Sequence, residues 1–287
     1  MNDKRFHRLL LFICCLGMTA CSKQREDSAT QIRRVFVSRV VKIPAQFLTT
    51  DASRAPLAAA QNPGLLTVTQ KREDELPQGP EGFEVLPDGG FAITDPLQRR
   101  LVFYDSLGDF RAAWSIGFAA NSVTALAGGE MEVRDAKSGE IVLFDAAGQR
   151  LSSRAVVRRR GAGTEARLLE LNRGVIARPR TRGSAPGDLQ VDFASDSSQM
   201  VSLQNLGVDA GGNTYVALEA ARGSDVIDIQ KIIRKYAADN TLLCQITDIP
   251  LDYYVPPVNE FRIRAGQVYQ LLPQEKEVII NIWNTNP

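Results

Sequence analysis

The chain has 287 residues and is close to charge balance, with 34 lysines and arginines against 33 aspartates and glutamates. Its one histidine is His7, within the first twenty residues. Beyond them there is no imidazole for a Ser-His-Asp or Cys-His nucleophile, for a histidine general base or for a histidine metal site.

The first element is a targeting segment. Lys4, Arg5 and Arg8 precede the apolar run Leu9–Gly17 (LLLFICCLG), and Met18-Thr19-Ala20 leads into Cys21. The run is too short to span a bilayer, which takes about 20 apolar residues. A basic start and a small-residue exit read instead as a secretory signal. The set resembles the signal of bacterial lipoproteins, with Met18 where most of them carry Leu. That resemblance implies cleavage before Cys21, a diacylglycerol on its sulfur and membrane attachment through that lipid. Ser22 stands where Asp would retain such a protein at the inner membrane, which implies the outer membrane, facing the periplasm. Ser22–Gln31 is polar and without hydrophobic period, a tether of roughly 33–36 Å at full stretch. With Cys21 acylated, Cys244 has no disulfide partner. Its place in the apolar run Leu242–Ile246 predicts a small buried hydrophobe.

A repeat follows. Gly82–Phe110 and Asn121–Arg150 align at a constant shift of 40 residues, pairing Leu86 with Leu126, Gly89 with Gly129, Ile93 with Val133 and Asp95 with Asp135. The same shift pairs Val102 with Val142, Tyr104 with Phe144, Asp105 with Asp145 and Gly108 with Gly148. In the first copy a strand runs into the Asp88-Gly89-Gly90 turn, and further strands are predicted at Phe91–Thr94, Arg100–Tyr104 and Phe110–Trp114. Four short strands in about 40 residues make one blade of a β-propeller. Weaker copies start at Leu168 and Leu206, the latter with an insertion near Glu219–Gln230 before a third strand at Ile232–Tyr236. A last copy covers Glu260–Trp283, with Ala265-Gly266-Gln267 as its turn.

On GPEGF (Gly79–Phe83), the DGG turn, the Asp after the second strand and VFYDSLG or VLFDAAG, the chain resembles NHL-type and related six-bladed propellers. The fold expectation is all-β, a single propeller of about six four-stranded blades, five of them countable after Gly79. The residues before Gly79 supply either a sixth blade or a closing strand such as Leu65–Thr69 that completes the C-terminal blade. Closure matters because an open ring leaves unpaired edges. The domain reading is a signal at 1–20, lipidated cysteine and tether at 21–31, and the propeller at 32–287.

No residue set identifies a reaction. Propellers of the gluconolactonase type hold an axial metal with Glu, Asn and Asp, and Glu81 faintly resembles such a ligand, but no matching pairs follow at later blades. Asp95 and Asp135 recur at one blade position and are expected to accept backbone N–H bonds at the turn. Asp225 and Asp228 lack the spacing of a calcium loop. Trp114 and Trp283 are expected in the core. The remaining signal is ten arginines in Arg150–Arg182 against Glu165 and Glu170, with Arg158, Arg159, Arg160, Arg178, Arg180 and Arg182 as candidate anion-binding residues. A solvated loop whose arginines pair with neighbouring blades is the competing account.

The functional expectation is therefore an envelope lipoprotein whose propeller is a binding or scaffolding module for an envelope protein or anionic ligand. The alternative is a metal-dependent hydrolase or lyase of the gluconolactonase-like type. No cofactor, bound metal or nucleic-acid partner is expected.

Overall fold

The computed structural model describes residues 32–48, 62–69, 76–155, 167–169, 173–177, 188–192, 198–223 and 228–287. The chain divides after Arg33, and Arg34–Pro287 is one compact unit. This unit is all-β, as its alternating apolar patterns and Gly-marked turns require.

Among the described residues the strands form five sheets. The first is Phe83–Val85, Phe91–Asp95, Arg100–Tyr104 and Phe110–Ser115, in sequential antiparallel order. The second is Ala120–Ala125, Met131–Asp135, Ile141–Phe144 and Arg150–Arg154, paired the same way. Three strands, Arg167–Leu169, Arg173–Ala177 and Asp188–Asp192, make the third. The fourth contains Ser198–Val208, Thr214–Arg222, Asp228–Tyr236 and Leu242–Ile246. The fifth begins with Phe261–Arg264, Gln267–Pro273 and Glu277–Asn284 and is completed from the other end of the chain.

That completion settles the choice left open by the sequence. Arg39–Leu48 pairs antiparallel with Glu277–Asn284, and Leu66–Thr69 then pairs parallel with its second half. The residues before Gly79 thus close the last blade; among the described residues they form no sixth one. Arg39–Leu48 was not legible as a strand because Pro44 interrupts it. Pro44 stands opposite Glu277 at the end of the antiparallel ladder, and the parallel pairing starts at Ala45. A residue without an N–H is tolerated at such a changeover.

The repeat now has a physical content. Asp105 Oδ1 accepts the backbone N–H groups of Leu107 and Asp109 at 2.8 and 2.9 Å, and Asp145 Oδ1 those of Ala147 and Gln149 at 2.9 and 2.8 Å. In the fourth sheet Asp209 Oδ1 does the same for Gly211 and Asn213 at 2.9 and 3.0 Å. Each carboxylate closes the hairpin turn that the spacing marks. Gly108 and Gly148 pass through these turns at φ +94° and +78°, and each packs on the fourth strand of the preceding blade. A Cβ would lie 2.8 Å from Val41 at Gly108 and 2.6 Å from Trp114 at Gly148. Repetition of that contact shows which strand neighbours which blade.

Apolar clusters fill the spaces between successive sheets. One joins the fifth and first through Ile43, Leu66, Phe91, Tyr104 and Ile280, and another joins the first and second through Leu101, Val123 and Val142. Trp283, Cys244 and Tyr215 pack between the fourth and fifth sheets, and Leu189 and Val191 of the third meet Val216 and Leu218 of the fourth. Trp283 and Cys244 are buried as expected, whereas Trp114 is only partly so and covers Gly148 from the side of Phe103. The stretch Glu219–Gln230 differs from expectation. Its described residues extend the hairpin, with Glu219 opposite Lys231 and Arg222 opposite Asp228.

Candidate functional site

The extended hairpin builds one wall of a polar cavity. Gln204, Asn205, Glu219 and Lys231 of the fourth sheet and Asn259–Arg262 at the start of the fifth line a pocket of about 370 Å³. Glu219 and Lys231 are cross-strand partners, so their side chains emerge together on one face. Lys231 Nζ lies 3.1 Å from Glu219 Oε1 and 2.5 Å from Glu260 Oε2, and donates to the Tyr253 hydroxyl at 3.3 Å. It also lies over the rings of Tyr253 and Phe261, 5.9 and 5.5 Å from their centres. Tyr253 donates to Glu260 Oε1 at 2.7 Å, and Gln270 donates to the same oxygen at 2.9 Å. Asn281 orients Gln270 by donating to its Oε1 at 3.1 Å.

This network sets the protonation states. Burial opposes the charge on Lys231, but the bond and field of Glu260, helped by Tyr253 and Glu219, outweigh it and hold the ammonium above the ordinary lysine range. Burial, then the carboxylate of Glu260, pushes the Tyr253 phenol up. Both groups are locked in their protonated forms at neutral pH.

At one side of the pocket, Arg262 ties three blades together. Its Nε reaches Glu84 Oε2 at 3.2 Å, its Nη2 donates to Val123 O at 3.3 Å, and its guanidinium covers the Phe83 ring at 5.7 Å. Burial raises Glu84 above the usual carboxylate range and lowers Arg262, each against the pull of the other. Asn259 donates from its side chain to Asn121 O at 3.2 Å and from its backbone to Glu81 O at 3.1 Å. The Oδ1 of Asn121 is buried with no hydrogen-bond partner, an acceptor of the kind a bound donor would satisfy.

Of the residues singled out in the sequence, Cys21, the tether 22–31 and Arg158, Arg159, Arg160, Arg178, Arg180 and Arg182 all lie outside the described residues. Glu81 is half-buried, and that burial raises its pKa. Among the described residues no three His, Cys, Asp or Glu side chains gather as a metal site, and no helix is long and apolar enough to cross a membrane. Asp135 is a turn residue, its Oδ1 accepting the Lys137 N–H at 2.8 Å. Asp95 accepts the Gln98 N–H at 3.3 Å and also holds Arg100 and Thr67 in the interior. Sequence reasoning missed Lys231, Glu260 and Tyr253. The available signal was the period-two placing of Lys231, Ile233 and Lys235 running into the third strand predicted at Ile232–Tyr236, just after the expected insertion.

No protein-family model matches this chain, and no curated protein matches it. Among solved structures it is similar to a streptogramin B lyase (11% identity, TM-score 0.36), covering 71% of this chain and 93% of that one. BamB from Moraxella catarrhalis gives 10% identity and a TM-score of 0.32 over 72% of this chain and 83% of that one. A gluconolactonase from Xanthomonas campestris gives 11% and 0.32 over 86% and 98%. At these values the likeness assigns neither family nor activity, and the all-β bladed fold rests on the chain's own strand pairing.

Proposed function

We propose that this chain is a lipid-anchored lipoprotein of the cell envelope whose propeller is a binding module. The pocket between the fourth and fifth sheets is its recognition site. The anchor is supported by the basic, apolar and small-residue order before Cys21. Binding rather than turnover is supported by one observation, the state of the pocket's reactive groups. A lysine or tyrosine acting as nucleophile or base works with its pKa drawn toward neutrality. Glu260 drives Lys231 the other way against the pull of its burial, and burial with Glu260 drives Tyr253 the other way.

The amides of Gln204, Asn205 and Asn259 offer donors and acceptors without net charge. Lys231 is 10% exposed as a side chain and Glu219 is 33% exposed, so the charge presented to a visitor is the carboxylate. The pocket therefore suits a hydrogen-bond donor or a cationic group of the partner. An anionic ligand is a separate form of the reading and rests on the arginines of 158–182 alone.

Gentle co-purification from membranes tests both forms. Val258 lines the pocket and is 60% exposed, so Val258→Arg blocks the entrance without touching the core. The expected result is loss of the partner from Val258→Arg and its retention when Arg158, Arg159 and Arg160 are changed to Glu. Loss only in the arginine variant moves the site to those arginines. Unchanged partners in both remove both surfaces from the account.

A further inference from the structure

We propose that the strip Arg34–Val40, with one neighbouring strand and one neighbouring turn, is a second membrane contact that docks the folded body on an anionic lipid surface. Val35 and Val41 are buried at 8% and 4% exposure, while Phe36 and Val40 between them are 65% and 47% exposed. Arg34 and Arg39 beside them also face solvent. The Val35 N–H donates to Gln245 O, which brings up the strand carrying Leu243 at 41% exposure. The Arg39 guanidinium donates to Ser106 O at 2.5 Å, which brings up the turn whose tip is Leu107, 71% exposed. Of the nearby carboxylates, Asp248 and Asp105 are engaged in hydrogen bonds within the protein, while Asp109, two residues from Leu107, is exposed. Asp248 accepts the Val37 N–H and the Trp283 indole N–H, and Asp105 accepts the N–H groups of its own turn.

Single exposed apolar side chains are ordinary on a protein surface. Here four of them stand on three adjoining segments that also carry two exposed arginines. That is the composition of an interfacial contact, in which apolar side chains enter the headgroup boundary and arginines meet lipid phosphates. Position along the chain favours a bilayer over another occupant. This step rests on the lipid attachment at Cys21 proposed above. Twelve residues lie between Cys21 and Arg34, and these thirteen steps reach no more than roughly 47 Å at full extension. The patch is thus the first part of the folded unit after the anchor. It would set which side of the ring faces the membrane.

A chain beginning at Ser22 carries no lipid and retains every described strand. Sedimentation of this chain with vesicles tests the patch without the anchor. The expected result is co-sedimentation with vesicles of phosphatidylglycerol and phosphatidylethanolamine, weakened by salt, and little with phosphatidylcholine. Phe36→Ser with Val40→Ser, and separately Arg34→Glu with Arg39→Glu, should each weaken it roughly tenfold with unchanged thermal unfolding. No sedimentation, equal sedimentation with phosphatidylcholine, or indifference to both pairs of substitutions overturns the proposal. So does a dimer in solution that Phe36→Ser dissolves, since the patch would then belong to a second copy. The anchor fails separately: a mature protein whose Cys21 carries no diacylglycerol by mass spectrometry overturns that reading while leaving the vesicle result to stand or fall alone.

Discussion

Asp95 is completely buried between the first blade and the closing strand, and its ionisation sets two large effects against each other. Its Oδ2 receives Arg100 Nε at 3.0 Å and the Thr67 hydroxyl at 3.1 Å, while Arg100 Nη1 holds Pro63 O at 3.0 Å. Burial raises the carboxyl from 3.8 to about 6, outweighing the field and bond of Arg100 and the bonds from Gln98 and Thr67. Between those two values the folded protein holds the proton more tightly than the unfolded chain. Its contribution to stability is therefore greatest below pH 4, falls as pH rises, and is flat above about 6. A gap of about two units corresponds to about 3 kcal/mol. Asn cannot titrate and stands in for the neutral acid. Asp95→Asn should thus gain about 3 kcal/mol relative to the unsubstituted protein between pH 4 and pH 7. The remaining carboxylates are common to both proteins and cancel in this difference. Urea unfolding followed by tryptophan fluorescence at several pH values measures it. If the variant instead loses ground as pH rises, the Arg100 ion pair outweighs desolvation and the reasoning fails.

Lys231→Met and Glu260→Gln each leave a buried charge without its main partner and should each cost about 3–5 kcal/mol in urea unfolding. The double variant should cost clearly less than their sum, because the pair is lost only once. Gly148→Ala places a methyl group against Trp114 at a positive φ and should cost about 2–3 kcal/mol; Gly128→Ala has a similar φ with open space around it and should cost about 1 kcal/mol. Equal melting temperatures for these two variants would contradict the blade contact. Cys21→Ala should make the protein extractable from membranes by a high-salt wash, whereas the unsubstituted protein should stay membrane-bound through that wash.

The blades were legible where local chemistry was self-sufficient. Asp105, Asp145 and the glycines that follow them satisfy their turns from within a few residues, so spacing alone located those strands. Features built from distant segments were not legible. Arg39–Leu48 is a strand because Glu277–Asn284 needs a partner at the end of the ring, and Pro44 hides it locally. Lys231 and Glu260 are 29 residues apart and meet only when the fourth and fifth sheets pack. Asp95 showed its turn bond in the repeat. Its burial and its hold on Thr67 depend on the closing strand, which has no counterpart in the second copy.

A photo-crosslinking residue placed at Val258 in living cells tests the recognition pocket most directly, with Leu76, 79% exposed and not among the pocket's lining residues, as its control. The account predicts a discrete adduct at 258, confined to the membrane fraction and missing at 76. Equal labelling at both positions, or none at 258, would contradict it.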